Sequence, residues 1–434
     1  MKTTRRTAFV AAITALVVSL AGCSMGKPQA SASASDSKTL TVWSMNGDLS
    51  PEVLNEINAR FTKETGAKVK LEMHDWDGIT TKVTTALTTS TPPDVIDVGN
   101  TQVSGYAANG GLLDLTSHKS DLEQGQTWVK GLEDSATYDG KLYGVPGLLA
   151  PFAVLYNKKI WADAGITTVP TTYDELEKDL DAIKAKHADD SSFSAFYLCG
   201  QDWYSALQWI WNDGGNIAKQ SGSKWSGSLE SEDSVTGVSD WKAFQNKYSA
   251  PASRTLATDS PDQTQIFADG KAATIIAPSS SIGTAVNLKS QVTKDDIGSF
   301  AIPGKDGKPQ PTFTSGSDWV IPAKSAKSDL AIKWVKIAAS PDIQENYVFP
   351  KQFLNPNTVE GNEHIMKSSA MTDSLKGYVD SAKAAVSTPM AAGWLKVEGN
   401  KVMETYFSSV ASGTSTPQQA GEKTDAQLND LLNQ

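Results

Sequence analysis

The sequence predicts an α/β protein whose opening part is a parallel β-sheet covered by helices. Two observations indicate this class: three short β-type runs at 39–43, 68–73 and 94–98, and two segments between them with apolar residues at helical spacing. A strand–helix–strand order of this kind forms parallel strands joined by right-handed crossovers. The 434 residues are enough for about two or three domains of ordinary size.

Local signals set the limits of the individual elements. The first helix has Ser50 as its N-cap, Pro51 in its first turn and Gly66 as its stop. Thr416 and Gln419 have the spacing of a capping box at the start of the last helix. Similar signals predict further strands at 141–146, 152–156, 194–198 and 272–276, and helices at 79–90, 172–186, 235–248, 261–269, 329–339, 341–348 and 417–432.

The N-terminus has the pattern of an export signal. Three basic residues precede an apolar run, 8–20, which is shorter than the roughly 20 residues of a membrane span. The run ends in Leu-Ala-Gly-Cys, which resembles the bacterial lipobox. We expect a lipoprotein signal peptide at 1–22, lipid attachment (palmitate included) at Cys23, and a flexible tether at 23–38. An ordinary cleaved signal with a chance cysteine is the alternative.

The charge balance restricts the possible partners. Loss of residues 1–22 leaves 36 basic against 49 acidic residues, a net charge of −13. An acidic chain without basic runs is poorly suited to nucleic acid or anionic membranes. We therefore expect no nucleic-acid partner, and membrane attachment only through the lipid anchor. If Cys23 carries lipid, Cys199 has no cysteine left for a disulfide.

The motifs of common catalytic sites are missing from the sequence. Four histidines lie far apart, and the expected mature chain, from residue 23, has no HExxH, GxSxG, Walker or GxGxxG pattern. We therefore expect no metal, no cofactor and no enzymatic activity. A surface glycoside hydrolase is the alternative, because the many carboxylates could include a catalytic pair. A structural surface lipoprotein, or a receptor for peptides or metals, also remains open.

One stretch, DWYSALQWIWNDGG at 202–215, is unusually aromatic. On a helical projection Trp203 and Trp211 share the apolar face, and Trp203 and Tyr204 lie in the first turn. We expect the first-turn rings to be exposed at the strand-to-helix connection, where ligands reach α/β layers. A sugar suits such rings, because its CH-bearing face is apolar while its rim of hydroxyls needs polar partners.

Several segments in a fixed order carry a family resemblance. They are TLTVWSMNGD, TPPDVIDVGNTQVSGYAANGGLLDLT, DGKLYGVPGLLAPFAVLYNKKIWADAGI, QIFADGKAATIIAPSS, GSDWVIPAKS and STPMAAGWLK. Together with the lipobox, they make the chain similar to the extracellular sugar-binding lipoproteins of ABC importers, solute-binding protein family 1, of the maltose-binding-protein type. The resemblance spans almost the whole mature chain.

The resemblance implies a two-lobed, type II periplasmic-binding-protein-like fold. Each lobe would be a mixed β-sheet flanked by helices, and a hinge of several chain crossings would join them. The crossings are expected near 150–151, 275–277 and 316–317. The N-terminal lobe would comprise 39–150 plus 277–316, and the C-terminal lobe 151–276 plus 317–434.

The resemblance also implies a function and a set of site residues. A lipid-anchored monomer on the outer face of the membrane would capture a di- to tetrasaccharide and deliver it to ABC permease subunits. The GNTQ loop lacks the aromatic and charged residues of the maltose type, and is more like members that take xylo-oligosaccharides, chitobiose or α-galactosides. The implied sugar-binding residues are Asn46, Asp48, Asn100, Thr101, Gln102, Asp202, Trp203, Tyr204, Asp318, Trp319 and Trp394.

Overall fold

The computed structural model describes residues 38–76, 78–288 and 292–434. The predicted signal peptide, Cys23 and all of the tether except Lys38 lie outside these residues. The described strands are β1 Thr39–Met45, β2 Lys68–His74, β3 Val95–Gly99, β4 Thr137–Tyr138, β5 Lys141–Leu142, β6 Gly144–Leu149, β7 Phe152–Asn157, β8 Ala218–Ser221, β9 Lys224–Gly227, β10 Thr274–Pro278, β11 Ile297–Phe300, β12 Thr312–Phe313, β13 Gly316–Val320 and β14 Ala385–Val386.

The helices alternate with these strands along most of the chain. They are α1 Pro51–Thr65, α2 Ile79–Thr88, α3 Val103–Ala108, α4 Lys119–Glu123, α5 Lys130–Ser135, α6 Lys158–Asp163, α7 Tyr173–Lys186, α8 Trp203–Asn212, α9 Glu232–Tyr248, α10 Gln263–Ala268, α11 Ser280–Asn287, α12 Ser328–Ala338, α13 Pro341–Ile343, α14 Phe349–Gln352, α15 Val359–Ile365, α16 Asp373–Ala382, α17 Trp394–Gly399, α18 Val402–Ser412 and α19 Pro417–Leu431. Short 3-10 turns and one π-helical turn, Gln344–Val348, complete the chain.

A five-stranded sheet organises the first lobe. Its strand order is β2-β1-β3-β13-β6, with β1 parallel to β2 and β3, and β13 antiparallel to both β3 and β6. Helices α1 and α12 pack on one face, and α2 and α3 pack on the other. The parallel part of this sheet is the strand–helix–strand layer that the sequence predicts.

Helix α1 shows how the local sequence produces these elements. The Ser50 hydroxyl accepts a hydrogen bond from the backbone N–H of Val53, and Pro51 occupies the first turn. Gly66 ends the helix with φ of 69°, a left-handed conformation that favours glycine. The apolar stripe, which includes Leu54 and Phe61, is fully buried against the sheet.

A three-stranded sheet, β10-β7-β11, organises the second lobe. All of its strand pairs are antiparallel. The aromatic helix α8 packs on one face together with α7, α9 and the C-terminal helices α17 to α19. Helices α10, α11, α15 and α16 cover the other face.

Strand pairing corrects the predicted lobe boundaries. The chain passes from the first sheet to the second between Leu149 and Phe152, at the expected crossing. It does not cross back near 275–277, because β10 and β11 both pair with β7. Residues 277–313 therefore stay with the second lobe, and the return lies just before Gly316. Strand β13 and helix α12 then pair and pack with the first sheet, so the pairing of 277–313 and of 317–338 is the reverse of the predicted lobe assignment.

Two smaller expectations also change. The strand predicted at 194–198 forms only two isolated bridges, Ser194 with Ala272 and Tyr197 with Ile275. The helix predicted at 341–348 is a single α turn followed by the π-helical turn.

The capping box of Thr416 and Gln419 is confirmed at the start of α19. Within the described ranges, no helix is long and apolar enough to cross a bilayer.

Trp319 is part of the first-lobe core and does not face a cleft. Its indole is 1% exposed and lies edge-on to Trp334 of α12, with 4.8 Å between ring centroids. The expectation of a cleft position was wrong, because β13 is inserted in the middle of the sheet and this side of it meets α12.

The burial of Trp319 gives a stability prediction. Trp319→Ala should lower the free energy of unfolding by about 3–5 kcal/mol, through lost apolar burial and a residual cavity. Urea denaturation followed by circular dichroism measures this change. Trp76→Ala, which removes an indole that is 38% exposed, should cost about 1 kcal/mol at most. Equal losses in the two variants would contradict the core assignment.

Candidate functional site

The loops that follow β1 and β2 meet at the carboxyl edge of the first sheet. The indole N–H of Trp76 donates to Oδ1 of Asp48 over 3.2 Å, and the Ser317 hydroxyl donates to Oδ2. The side-chain amide of Asn46 donates to Asp75 over 2.6 Å. Asn46 is exposed and Asp48 is half-buried. The result is an aromatic ring with a fixed orientation among polar side chains.

Burial changes the acidity of the carboxyl groups at this edge. Desolvation raises the pKa of Asp48 to about 6, and the hydrogen bonds from Ser317 and Trp76 lower it only in part. Asp97 of β3 is fully buried beneath it, and desolvation together with the charge of Asp48 raises the pKa of Asp97. Asp48 and Asp97 therefore bind protons at a higher pH than an ordinary exposed aspartate does.

The loop after β3 is well buried and its side chains are held by other segments. The Asn100 amide donates to the backbone oxygen of Thr314 over 2.6 Å, at the point where the chain returns from the second lobe. The Gln102 amide donates to the Thr80 hydroxyl over 3.2 Å. Thr101 stands next to Glu398 of α17, in the second lobe, and its hydroxyl opposes the rise that burial causes in the pKa of that carboxyl group.

Asp202 begins the aromatic helix of the second lobe. Its carboxylate accepts from the backbone N–H of Ser205 over 3.3 Å and from the Ser205 hydroxyl over 2.5 Å, so it is the N-cap of α8. Desolvation raises the pKa of Asp202 to about 6. As a cap with both oxygens occupied, Asp202 orients the first turn that carries Trp203 and Tyr204.

The rings of α8 lie deeper than the sequence suggests. Trp203 is 3% exposed, and Trp394 of α17 lies across it with 5.9 Å between ring centroids. Phe313 of β12 covers Tyr204, with 4.7 Å between centroids. The expectation of an exposed Trp203 was wrong, because β12 and α17 approach α8 from distant parts of the chain. Tyr204 keeps a half-buried position.

Trp394 is also fully buried, and its indole N–H donates to Oε1 of Glu398 over 2.9 Å. Trp209 and Trp211 join the same second-lobe cluster, and the Trp209 N–H donates to the Tyr173 hydroxyl over 3.0 Å. The aromatic helix is therefore chiefly a core element, which presents only the margin of its first turn.

Asp318 lies in the interior of the first lobe. It is fully buried in β13 beside Gly144, and neither carboxyl oxygen has a hydrogen-bond partner in the described structure. Burial raises its pKa to about 8, so the group is largely neutral at pH 7. It is enclosed on the face of β13 opposite to Trp319, beside Gly144, and is not exposed as a cleft position would require.

Residues outside the expected set complete the site. Ser317 and Trp76 frame Asp48, and Glu398 joins Trp394 to Thr101. A local signal could have identified Trp76 as a site residue, since it stands between Asp75 and Gly78 in a turn-like sequence. Glu398 had a weaker one, its position four residues after Trp394 on one helix face. Among the described residues, no group of three histidine, cysteine or acidic side chains is placed to hold a metal ion.

Comparison with known proteins gives the site its context. The model of the bacterial extracellular solute-binding proteins matches residues 47–345. This chain belongs to that family. The solute-binding protein is also 34% identical over 435 residues to the diacetylchitobiose binding protein DasA of Streptomyces coelicolor, covering 97% of each chain. The maltodextrin-binding protein MdxE of Bacillus subtilis is 27% identical over 75% of this chain and 74% of its own.

Solved structures agree on the fold of the solute-binding protein. The sugar-binding protein MalE from Xanthomonas citri superimposes with a TM-score of 0.78 at 19% identity, covering 91% of this chain and 97% of its own. A cyclo/maltodextrin-binding protein complexed with maltotetraose gives 0.75 at 20% identity, covering 92% and 98%. The fold is therefore the two-lobed, type II periplasmic-binding-protein fold that the resemblance implies.

The neutral Asp318 gives a prediction for the pH dependence of stability. Its folded pKa of about 8 lies above the ordinary value of 3.8, so the folded protein binds the proton more tightly than the unfolded chain does. Its contribution to stability is present below pH 4 and is lost as the pH rises through 8. Relative to the wild type, Asp318→Asn should gain stability by about 1 kcal/mol per pH unit across this window.

Urea denaturation at pH 5, 6.5 and 8 measures this difference. Asp430→Asn, which removes an exposed carboxylate in α19, controls for the loss of one charge. Parallel stability curves for the wild type and Asp318→Asn would show that Asp318 is ionised in the folded protein.

Proposed function

We propose that this solute-binding protein captures a small oligosaccharide between its lobes and delivers it to the permease subunits of an ABC importer. The observation that carries the proposal is the exposed indole of Trp76, fixed by Asp48 at the carboxyl edge of the first sheet. Ligands of open α/β sheets bind at this edge, particularly where the strand order reverses.

A saccharide suits the chemistry around this ring. An exposed indole offers a flat apolar surface for the CH-bearing face of a pyranose. Asn46, Asp48 and Gln102 lie at the same edge and supply donors and acceptors for hydroxyl groups. Both oxygens of Asp48 accept hydrogen bonds from Trp76 and Ser317, so the edge offers an oriented ring and hydrogen-bonding groups, as an uncharged sugar requires.

We further propose a β-linked N-acetylglucosamine disaccharide as the ligand class. This choice is supported by the 34% identity to the diacetylchitobiose binding protein along 97% of both chains. The maltodextrin and maltooligosaccharide relatives are less similar, at 27% and 26%. Xylo-oligosaccharides and α-galactosides are the competing ligands that a binding assay must include.

Binding would proceed by closure of the hinge. The chain crosses between the sheets at 150–151 and just before Gly316, and these segments can absorb a change in lobe orientation. A sugar that touches both lobes only in the closed form shifts the population toward closure. Nothing in the family or its relatives supports the glycoside hydrolase alternative.

We also propose that Cys23 carries the lipid that retains the protein on the extracytoplasmic face of the cell membrane. A related maltooligosaccharide-binding protein of Streptococcus pneumoniae is a lipoprotein, at 26% identity over 84% of this chain. Cys23→Ala should release the protein from the membrane fraction into the medium, which immunoblotting of both fractions measures. Retention of the variant on the cells would contradict the anchor.

Isothermal titration calorimetry against a disaccharide panel tests the ligand class. Diacetylchitobiose should bind with a micromolar dissociation constant, which corresponds to about −8 kcal/mol. Maltose, xylobiose and melibiose should bind at least about a hundredfold more weakly, because buried polar groups left unpaired discriminate strongly. Tighter binding of maltose, xylobiose or melibiose would show that the ligand belongs to another class of sugar. If no sugar binds, the proposed function is wrong.

Trp76→Ala tests the stacking surface. The variant should bind diacetylchitobiose roughly thirtyfold more weakly, a loss of about 2 kcal/mol that is typical of a central aromatic contact. Trp76→Phe should recover part of the affinity. Trp225→Ala, which removes another indole from the β8–β9 hairpin, serves as the control and should bind like the wild type. Unchanged affinity in Trp76→Ala would remove this ring from the site.

A further inference from the structure

We infer that Glu398 is a positioning residue that couples closure of the lobes to the orientation of the Trp394 ring. This inference rests on the proposed sugar-binding function and identifies how the same site is assembled. It depends on the position of α17, which is built into the second lobe but touches the first.

Helix α17 is anchored firmly on its own lobe. Trp394 and Val397 are fully buried in the second-lobe cluster with residues of α18 and α19. Gly393, immediately before the helix, passes so close to the end of α19 that an added Cβ would lie 1.8 Å from the Leu431 carbonyl oxygen. The helix therefore moves with the second lobe.

The outward side of α17 fits tightly against the first lobe. A Cβ added at Gly105 of α3 would lie 2.5 Å from Cδ1 of Leu395 and 3.2 Å from the carbonyl oxygen of Ala392. The Ser104 hydroxyl donates to the carbonyl oxygen of Ala391 over 3.1 Å. Leu395 also packs against the apolar cluster beneath α3. These contacts bridge the two lobes, so moving the lobes apart would break them.

The Glu398 carboxylate lies at the centre of this contact. It accepts the Trp394 indole N–H over 2.9 Å from its own helix. Helix α17 also packs against the turn at 100–102 of the first lobe, where Thr101 stands next to this carboxylate. Burial raises the pKa of Glu398, and the Trp394 and Thr101 donors oppose the shift. Opening the lobes would remove the donor from Thr101 and leave the carboxylate held only by the ring that it orients.

A purely local role makes different predictions. If Glu398 only ties one turn of α17 together, Thr101 would not influence its effect, and loss of the side chain would act on stability alone. If it couples closure to ring position, Thr101 and Glu398 must act as a unit in ligand binding. A double-mutant cycle separates the two roles.

The experiment measures the dissociation constant of diacetylchitobiose for Glu398→Ala, Glu398→Gln, Thr101→Val and the double variant Thr101→Val/Glu398→Ala. Glu398→Ala should weaken binding about thirtyfold, and Thr101→Val about tenfold, as expected for hydrogen bonds to a charged group. The double variant should match Glu398→Ala. Glu398→Gln keeps an acceptor for both donors and should remain within about threefold of the wild type.

Stopped-flow kinetics should place the loss chiefly in a faster dissociation rate, because the contact belongs to the closed form. Gly399→Ala is the matched control on the same helix, since an added Cβ there meets no atom within 4 Å. It should bind like the wild type. Additive effects of Thr101→Val and Glu398→Ala, or equal losses in Glu398→Gln and Glu398→Ala, would overturn the inference.

A measurement without sugar keeps this test independent of the proposed function. In protein labelled with 5-fluorotryptophan, the Trp394 resonance is assigned by Trp394→Phe. Thr101→Val should shift that resonance, because Thr101 stands next to the carboxylate that holds the Trp394 ring, whereas Gly399→Ala should not. If the wild type binds no sugar, the proposed function fails while this shift still decides the coupling. An unmoved resonance in Thr101→Val would overturn it.

Discussion

The insertion of strand β13 between β3 and β6 is the constraint on which the architecture depends. This antiparallel strand returns the chain to the first sheet after the whole of the second sheet has formed, and it brings α12 with it. Its first residues complete the carboxyl edge, where Ser317 holds Asp48. The next two, Asp318 and Trp319, are thereby buried on opposite faces of the sheet. The pairing of β13 with β3 and β6 thus determines one hinge crossing, part of the first-lobe core and part of the site.

Carboxyl groups with raised pKa values are the shared electrostatic feature of the site. Asp48, Asp97 and Asp202 are all shifted upward chiefly by burial, and Glu398 shows the same direction. The oxygens of Asp48, Asp202 and Glu398 accept hydrogen bonds from neighbouring side chains, so these buried groups hold the loops and rings of the site in place.

Local signals predicted the regular elements where they act within one helix or strand. Helix α1 has its cap, proline and terminal glycine in the sequence, and α19 has its capping box. The segment 194–198 was predicted to be a strand, but it pairs only through two isolated bridges. Its β-type composition reflects burial beside β10. The predicted lobe assignment differs from the strand pairing at β11 and β13, since the composition of a strand does not specify its neighbours.

The sequence by itself determined the α/β class, the aromatic helix and the family, because capping, periodicity and ordered motifs are properties of neighbouring residues. The tertiary structure alone decided which rings are exposed. Trp203 and Trp394 were both predicted to contact the ligand, yet both are buried, with Phe313 of β12 and Trp394 packed against Trp203. Trp76 is exposed beside Asp48. The burial of a side chain depends on elements that are distant in the sequence, and the roles of these three tryptophans follow from which elements pack around them.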